Sequence, residues 1–151
     1  MTHHRTKHLG ILFSFLLICG CTSKPDLAGA SKSEFDGFWV GKMIQPNGPR
    51  GQEGYNQFLR LWIHGSSAQG IARIEIPDTT FFAEMAISGT VGDDSLFFSE
   101  DSILNQHARE GHWWCLKKGI LILNRKTMHL AGEWHSLDCA PGRIELHRVF
   151  E

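Results

Sequence analysis

The chain has 151 residues, with 15 Lys plus Arg against 16 Asp plus Glu, a formal charge of −1 and 42% hydrophobic residues. That length allows one domain with a sizeable core and leaves no room for two ordinary ones. The near-neutral balance supplies no basic face, which excludes a general nucleic-acid binder.

In chain order, the first segment carries Arg5 and Lys7, an apolar run from Leu9 to Cys19, and then Ile18-Cys19-Gly20-Cys21. The run is shorter than the roughly 17–25 apolar residues of a spanning helix and stops at a small residue, so residues 1–20 read as a cleaved signal peptide. Its end resembles the bacterial lipobox, with an aliphatic residue three places before the cysteine and Gly just before it. That resemblance implies cleavage after Gly20, a lipid on Cys21 and hence attachment to the membrane of a bacterial cell envelope. Thr22, where an inner-membrane retention signal has Asp, implies sorting to the outer membrane. Removal of residues 1–20 takes away Arg5, Lys7, His3, His4 and His8, which leaves a formal charge of −3 and six scattered histidines. Residues 21–34 are small, polar and aperiodic, as expected of a flexible tether. The domain is then 35–151.

From Gly37 onward the chain alternates apolar and polar residues with period 2, rich in β-branched and aromatic types, and is cut at short intervals by turn residues. Strands are predicted over 37–45, 55–64, 69–77, 81–91, 95–104, 112–117, 119–124, 128–135 and 143–149. The cuts are Pro46-Asn47-Gly48-Pro49, Ile76-Pro77-Asp78, Gly92-Asp93-Asp94, Lys117-Lys118-Gly119 and Ala140-Pro141-Gly142. The expected fold is all-β, one antiparallel meander of eight or nine strands closing into a barrel, which removes exposed sheet edges. Alternation places Phe81, Ala83, Met85 and Ile87 on one face, and likewise Met128, Leu130, Gly132 and Trp134. Ile144, Leu146 and Arg148 share a third.

Arg148 on an apolar face needs a partner, and the ring face of Trp39 is one. Here the chain resembles the calycin group, the lipocalins and their barrel relatives. These carry Gly-x-Trp on the first strand and a last-strand cation packed across that Trp. The matching residues are Gly37-Phe38-Trp39 and Arg148, with a second Gly-x-Trp at Gly132-Glu133-Trp134. The resemblance implies a lipocalin-like barrel and a structural Trp39–Arg148 pair. Together with Gly-His-Trp-Trp-Cys-Leu-Lys-Lys-Gly from Gly111 and Cys139-Ala140-Pro141-Gly142, the pattern also looks like a group of small uncharacterised bacterial lipoproteins, which implies a fold and no activity.

Cys115 and Cys139 remain after cleavage beside Cys21, and in an oxidising compartment such a pair is expected to be bridged, the alternative being two buried thiols. No Cys-x-x-Cys spacing supports a redox role. Three places are candidate sites. The barrel interior, lined by Trp39, Met43, Phe81, Met85, Leu130 and Trp134, suits a small apolar ligand if it is hollow and is core if it is filled. Of the adjacent pair Trp113-Trp114, one ring must leave the interior, next to His107 and His112. Glu133, His135, Glu145 and His147 share an outer face, where Zn²⁺ binding competes with plain solvation. Glu100-Asp101 reads as a strand end entering solvent.

No Gly-x-Ser-x-Gly, phosphate-cradling glycine loop or cleft-borne carboxylate pair is present. The expectation is therefore a lipid-anchored exported barrel that binds a small apolar ligand without catalysis, cofactor or metal. The rival is an envelope protein-interaction module or enzyme inhibitor with a filled core, working through residues 46–54 and 105–114.

Overall fold

The computed structural model describes residues 33–150. The expected signal peptide, Cys21 and the expected tether up to residue 32 lie outside the described residues. Eight antiparallel strands follow one another: β1 (Gly37–Ile44), β2 (Tyr55–His64), β3 (Ser67–Glu75), β4 (Phe82–Val91), β5 (Ser95–His107), β6 (Lys118–Asn124), β7 (His129–His135) and β8 (Gly142–Val149). Each pairs with its sequence neighbours, and β1 pairs with β8, so the meander closes into a barrel. Period-2 alternation then has one physical outcome: every second side chain enters the lumen. In β4, Ala83, Met85 and Ile87 are buried, as are Leu130 and Trp134 in β7 and Ile144 and Leu146 in β8.

One end of the barrel is sealed by the chain's own entry. Trp39 is fully buried, donates its indole Nε1–H to the Phe35 carbonyl at 2.9 Å, and sits across the β1–β8 register from Arg148. The Arg148 guanidinium stands 5.8 Å from the Trp39 ring centre and donates to the carbonyls of Glu34 and Asp36 at 2.9 and 2.6 Å. Gly37 has φ +134°, and a Cβ there would press on that guanidinium. The glycine of Gly-x-Trp therefore makes room for the arginine. At the second Gly-x-Trp, a Cβ on Gly132 would run into the Ile120 carbonyl, so that glycine sets the β6–β7 approach. Arg148→Gln is expected to lower stability by about 2 kcal/mol, since it removes a charge from the ring face and at least one carbonyl bond. A reduced urea midpoint at unchanged slope checks this; an unchanged midpoint would mean water serves those carbonyls equally well.

The predicted strand 112–117 does not form, and the barrel has eight strands rather than nine. Lys117-Lys118-Gly119 is accordingly no turn, because Lys118 and Gly119 open β6. The reason lies in β5. Its first half pairs with both neighbours, but irregularities in the β4–β5 register beside Asp101 and Leu104 turn the strand outward, leaving Ile103 and Leu104 exposed. Beyond Ser99 the β5–β6 ladder ends. A single main-chain bond from Glu100 N–H to the Lys117 carbonyl, 2.8 Å, holds the returning chain. Residues 108–117 instead run as irregular chain across the other end of the barrel, the mouth.

Candidate functional site

The mouth is built from three connections: residues 45–54 between β1 and β2, 108–117 between β5 and β6, and 136–141 between β7 and β8. The last two are tied by the disulfide Cys115–Cys139, Cα atoms 6.2 Å apart. The bridge is as expected, though Cys115 sits in irregular chain and not on a strand. The β6 start and the β7 end meet at the mouth, which brings the flanking residues together. Gln45 adds a second tie, donating from Nε2 to the Ala140 carbonyl at 2.6 Å.

Trp113 and Trp114 divide as expected, although the segment that carries them is irregular chain and no strand. Trp113 is 69% exposed, while Trp114 turns inward against the core with the His112 ring edge-on to it at 4.7 Å. Beneath them lies a chamber of about 50 Å³ lined by Met43, Tyr55, Ile74, Lys117 and Trp134 as well as His112, Trp113, Trp114 and the disulfide. It shares Gln45, Tyr55, His112, Trp113 and Cys139 with an open groove of about 370 Å³, walled by Asn47, Gly48 and Pro49 on one side and Arg109 and Gly111 on another. A separate void of about 10 Å³, room for one water at most, lies deeper against Gln57, Glu100 and Leu146.

The chamber floor is charged. Lys117 Nζ meets Glu100 Oε2 at 2.7 Å with both side chains 2% exposed or less, and the Lys117 backbone N–H donates to the same carboxylate oxygen at 3.0 Å. Lys117 Nζ also reaches the Cys115 carbonyl at 3.3 Å and lies 5.8 Å from the Trp134 ring centre. Burial pushes the Glu100 carboxyl up and the Lys117 ammonium down, and each charge pulls its partner back towards ionisation. Burial also raises the Tyr55 hydroxyl, against the pull of Arg50. It lowers His112, assisted by the Arg109 charge, which favours a neutral imidazole near pH 7.

Among the described residues, four buried side-chain atoms have no hydrogen-bond partner within the protein: Gln57 Oε1, His112 Nε2, Trp114 Nε1 and Trp134 Nε1. Native interiors satisfy nearly all such groups. Three of the four belong to residues that line the chamber.

The six residues expected to hold a ligand do not form one site. Met43 and Trp134 line the chamber. Trp39, Met85 and Leu130 are fully buried in the packed interior, and Phe81 precedes β4, half-buried, its ring 5.3 Å from that of His107. The outer face with Glu133, His135, Glu145 and His147 does not converge either. The His147 ring lies tilted against that of His129, centres 4.7 Å apart, and Glu145 pairs with Arg143 at 2.8 Å. Glu100 corrects a reading outright, since it is no strand end in solvent but the most buried charge in the barrel beside Lys117. The alternation Leu96, Phe98, Glu100 carried that signal, all three pointing inward. No family model matches the chain, and neither a curated protein nor a solved structure matches it.

Proposed function

We propose that the protein is a lipid-anchored exported barrel that binds a small, largely apolar ligand at its mouth and performs no catalysis. The barrel scaffold is compatible with a calycin-like carrier, and Cys21 in its lipobox-like setting supports the anchor. The observation that carries the reading is the mouth: a disulfide-braced groove opens onto an aromatic chamber whose buried polar atoms lack partners. Donors without a protein partner beside an open groove give a small guest both a polar anchor and apolar contact. The ligand does not reach Trp39, whose end of the lumen is filled by side chains.

Native mass spectrometry of residues 22–151, produced with export so that the disulfide forms, tests this reading. A bound mass that disappears on denaturation supports it. A clean protein mass, together with no binding of small amphiphiles in titration, counts against it. For the anchor, Cys21→Ser should release the protein from membranes, and retention would refute lipidation there.

A second reading is a protein-interaction module acting through the same loops, favoured by the exposure of Trp113 on the groove wall. The two separate by mutation. Ile74→Phe narrows the chamber and should abolish binding of a small ligand only, whereas Trp113→Ala should abolish binding of a protein partner whatever the state of the chamber.

A further inference from the structure

We infer that the chamber receives the hydrogen-bond-accepting end of the ligand, a carboxylate or carbonyl group, while the ligand's apolar body lies in the groove. This rests on the mouth being a ligand site and names what that site selects. An indole N–H donates and never accepts. Trp114 Nε1 and Trp134 Nε1 are both buried without a partner, and both residues line the chamber. Lys117 adds an ammonium with three N–H bonds, of which Glu100 Oε2 and the Cys115 carbonyl take two. The one carboxylate nearby, Glu100, takes both the Lys117 Nζ and the Lys117 backbone N–H on Oε2. His112 Nε2, the third unpartnered atom here, donates or accepts according to its tautomer, so the fixed polarity of the space is that of the two indoles and both are donors. An amine-tipped guest would set donor against donor, and a purely apolar guest would leave both indoles as they are.

Size fixes the rest of the pose. About 50 Å³ holds a group of a few heavy atoms such as a carboxylate or a primary amide, and no more. The remainder of the molecule must occupy the groove of about 370 Å³, where Pro49, Trp113 and Ala140 offer apolar contact. Arg109 on the groove wall favours an anionic guest at longer range, and Asp138, which also lines the groove, offsets part of that.

The test is a ¹⁵N–¹H spectrum of the indole groups in residues 22–151, which include every strand and the whole core. Octanoate, octanamide and octylamine are the probes, and single Trp→Phe variants assign the peaks. Octanoate and octanamide are expected to move the Trp114 and Trp134 indole signals saturably, with affinity at least tenfold above that of octylamine. The Trp39 signal, committed to the Phe35 carbonyl, should stay still and report an intact fold. Trp114→Phe should weaken octanoate about five- to tenfold and leave octylamine unchanged. Equal binding of all three probes, or shifts confined to Trp113, would overturn the acceptor assignment and leave the mouth as a ligand site. No shift of any mouth tryptophan with any probe would overturn both.

Discussion

Lys117→Met alone is expected to destabilise the barrel by about 3–5 kcal/mol, and adding Glu100→Gln is expected to restore stability to within about 1 kcal/mol of the parent. The single variant strands a carboxylate that is 1% exposed. The double variant removes both charges, while the Glu100→Gln change keeps a side-chain oxygen to accept the backbone N–H of position 117. Its new amide also faces a void shared with Gln57, whose Oε1 lacks a partner. Urea unfolding measures both. If the single variant costs no more than the double, the ion pair contributes nothing specific.

The same single variant has a signed pH dependence. Burial already raises the Glu100 pKa above its ordinary 4.5, and the Lys117 charge is what holds it down. With that charge gone, the folded-state pKa climbs further above the unfolded one. A raised folded pKa means stability is complete below the unfolded pKa and is lost as pH rises through the folded value. Lys117→Met should therefore be least harmful at or below the ordinary carboxyl pKa of 4.5 and increasingly harmful as pH rises above it. A penalty that shrinks as pH rises would show that Glu100 is not the group left uncompensated.

Much of this fold is legible in the sequence, because barrel strands impose period 2 and turns impose Gly, Pro and Asp. The inward sets of β4, β7 and β8 follow from alternation alone, and Trp39 and Arg148 follow from needing each other. The mouth is legible only in part. His-Trp-Trp-Cys-Leu-Lys alternates like a strand, but whether it forms one depends on a free edge beside it, and β5 withdraws that edge through two irregularities that no local pattern announces. Lys117 follows Leu116 and precedes a lysine-glycine pair, so it looks like a turn residue. Only Glu100, seventeen residues earlier and inward by parity, gives it a reason to be buried. The small chamber is a further step removed, since it is the volume left when residues 108–117 fail to fill the end of the barrel.

Replacing Cys115 and Cys139 together by serine is expected to lower stability by about 3.5 kcal/mol, the chain entropy released when a closure 24 residues apart in sequence is opened. For a domain of this size that corresponds to a melting temperature lower by about 12 °C. The loss should also have a location. Residues 108–117 make one main-chain bond to β5, from the Glu100 N–H, and are otherwise held by Trp114, the buried Lys117 and the disulfide. Without the bridge, hydrogen exchange should accelerate in this segment well before it does in β1–β4, and the proposed ligand binding at the mouth should weaken with it. The two effects are coupled through Lys117, which is buried by the same segment. Once that segment lifts, Glu100 reaches water, so Lys117→Met should cost at least about 1 kcal/mol less in the disulfide-free protein than in the bridged one. Strict additivity would show that the ion pair is buried by the barrel walls alone and that the disulfide braces the mouth without shielding what lies beneath it.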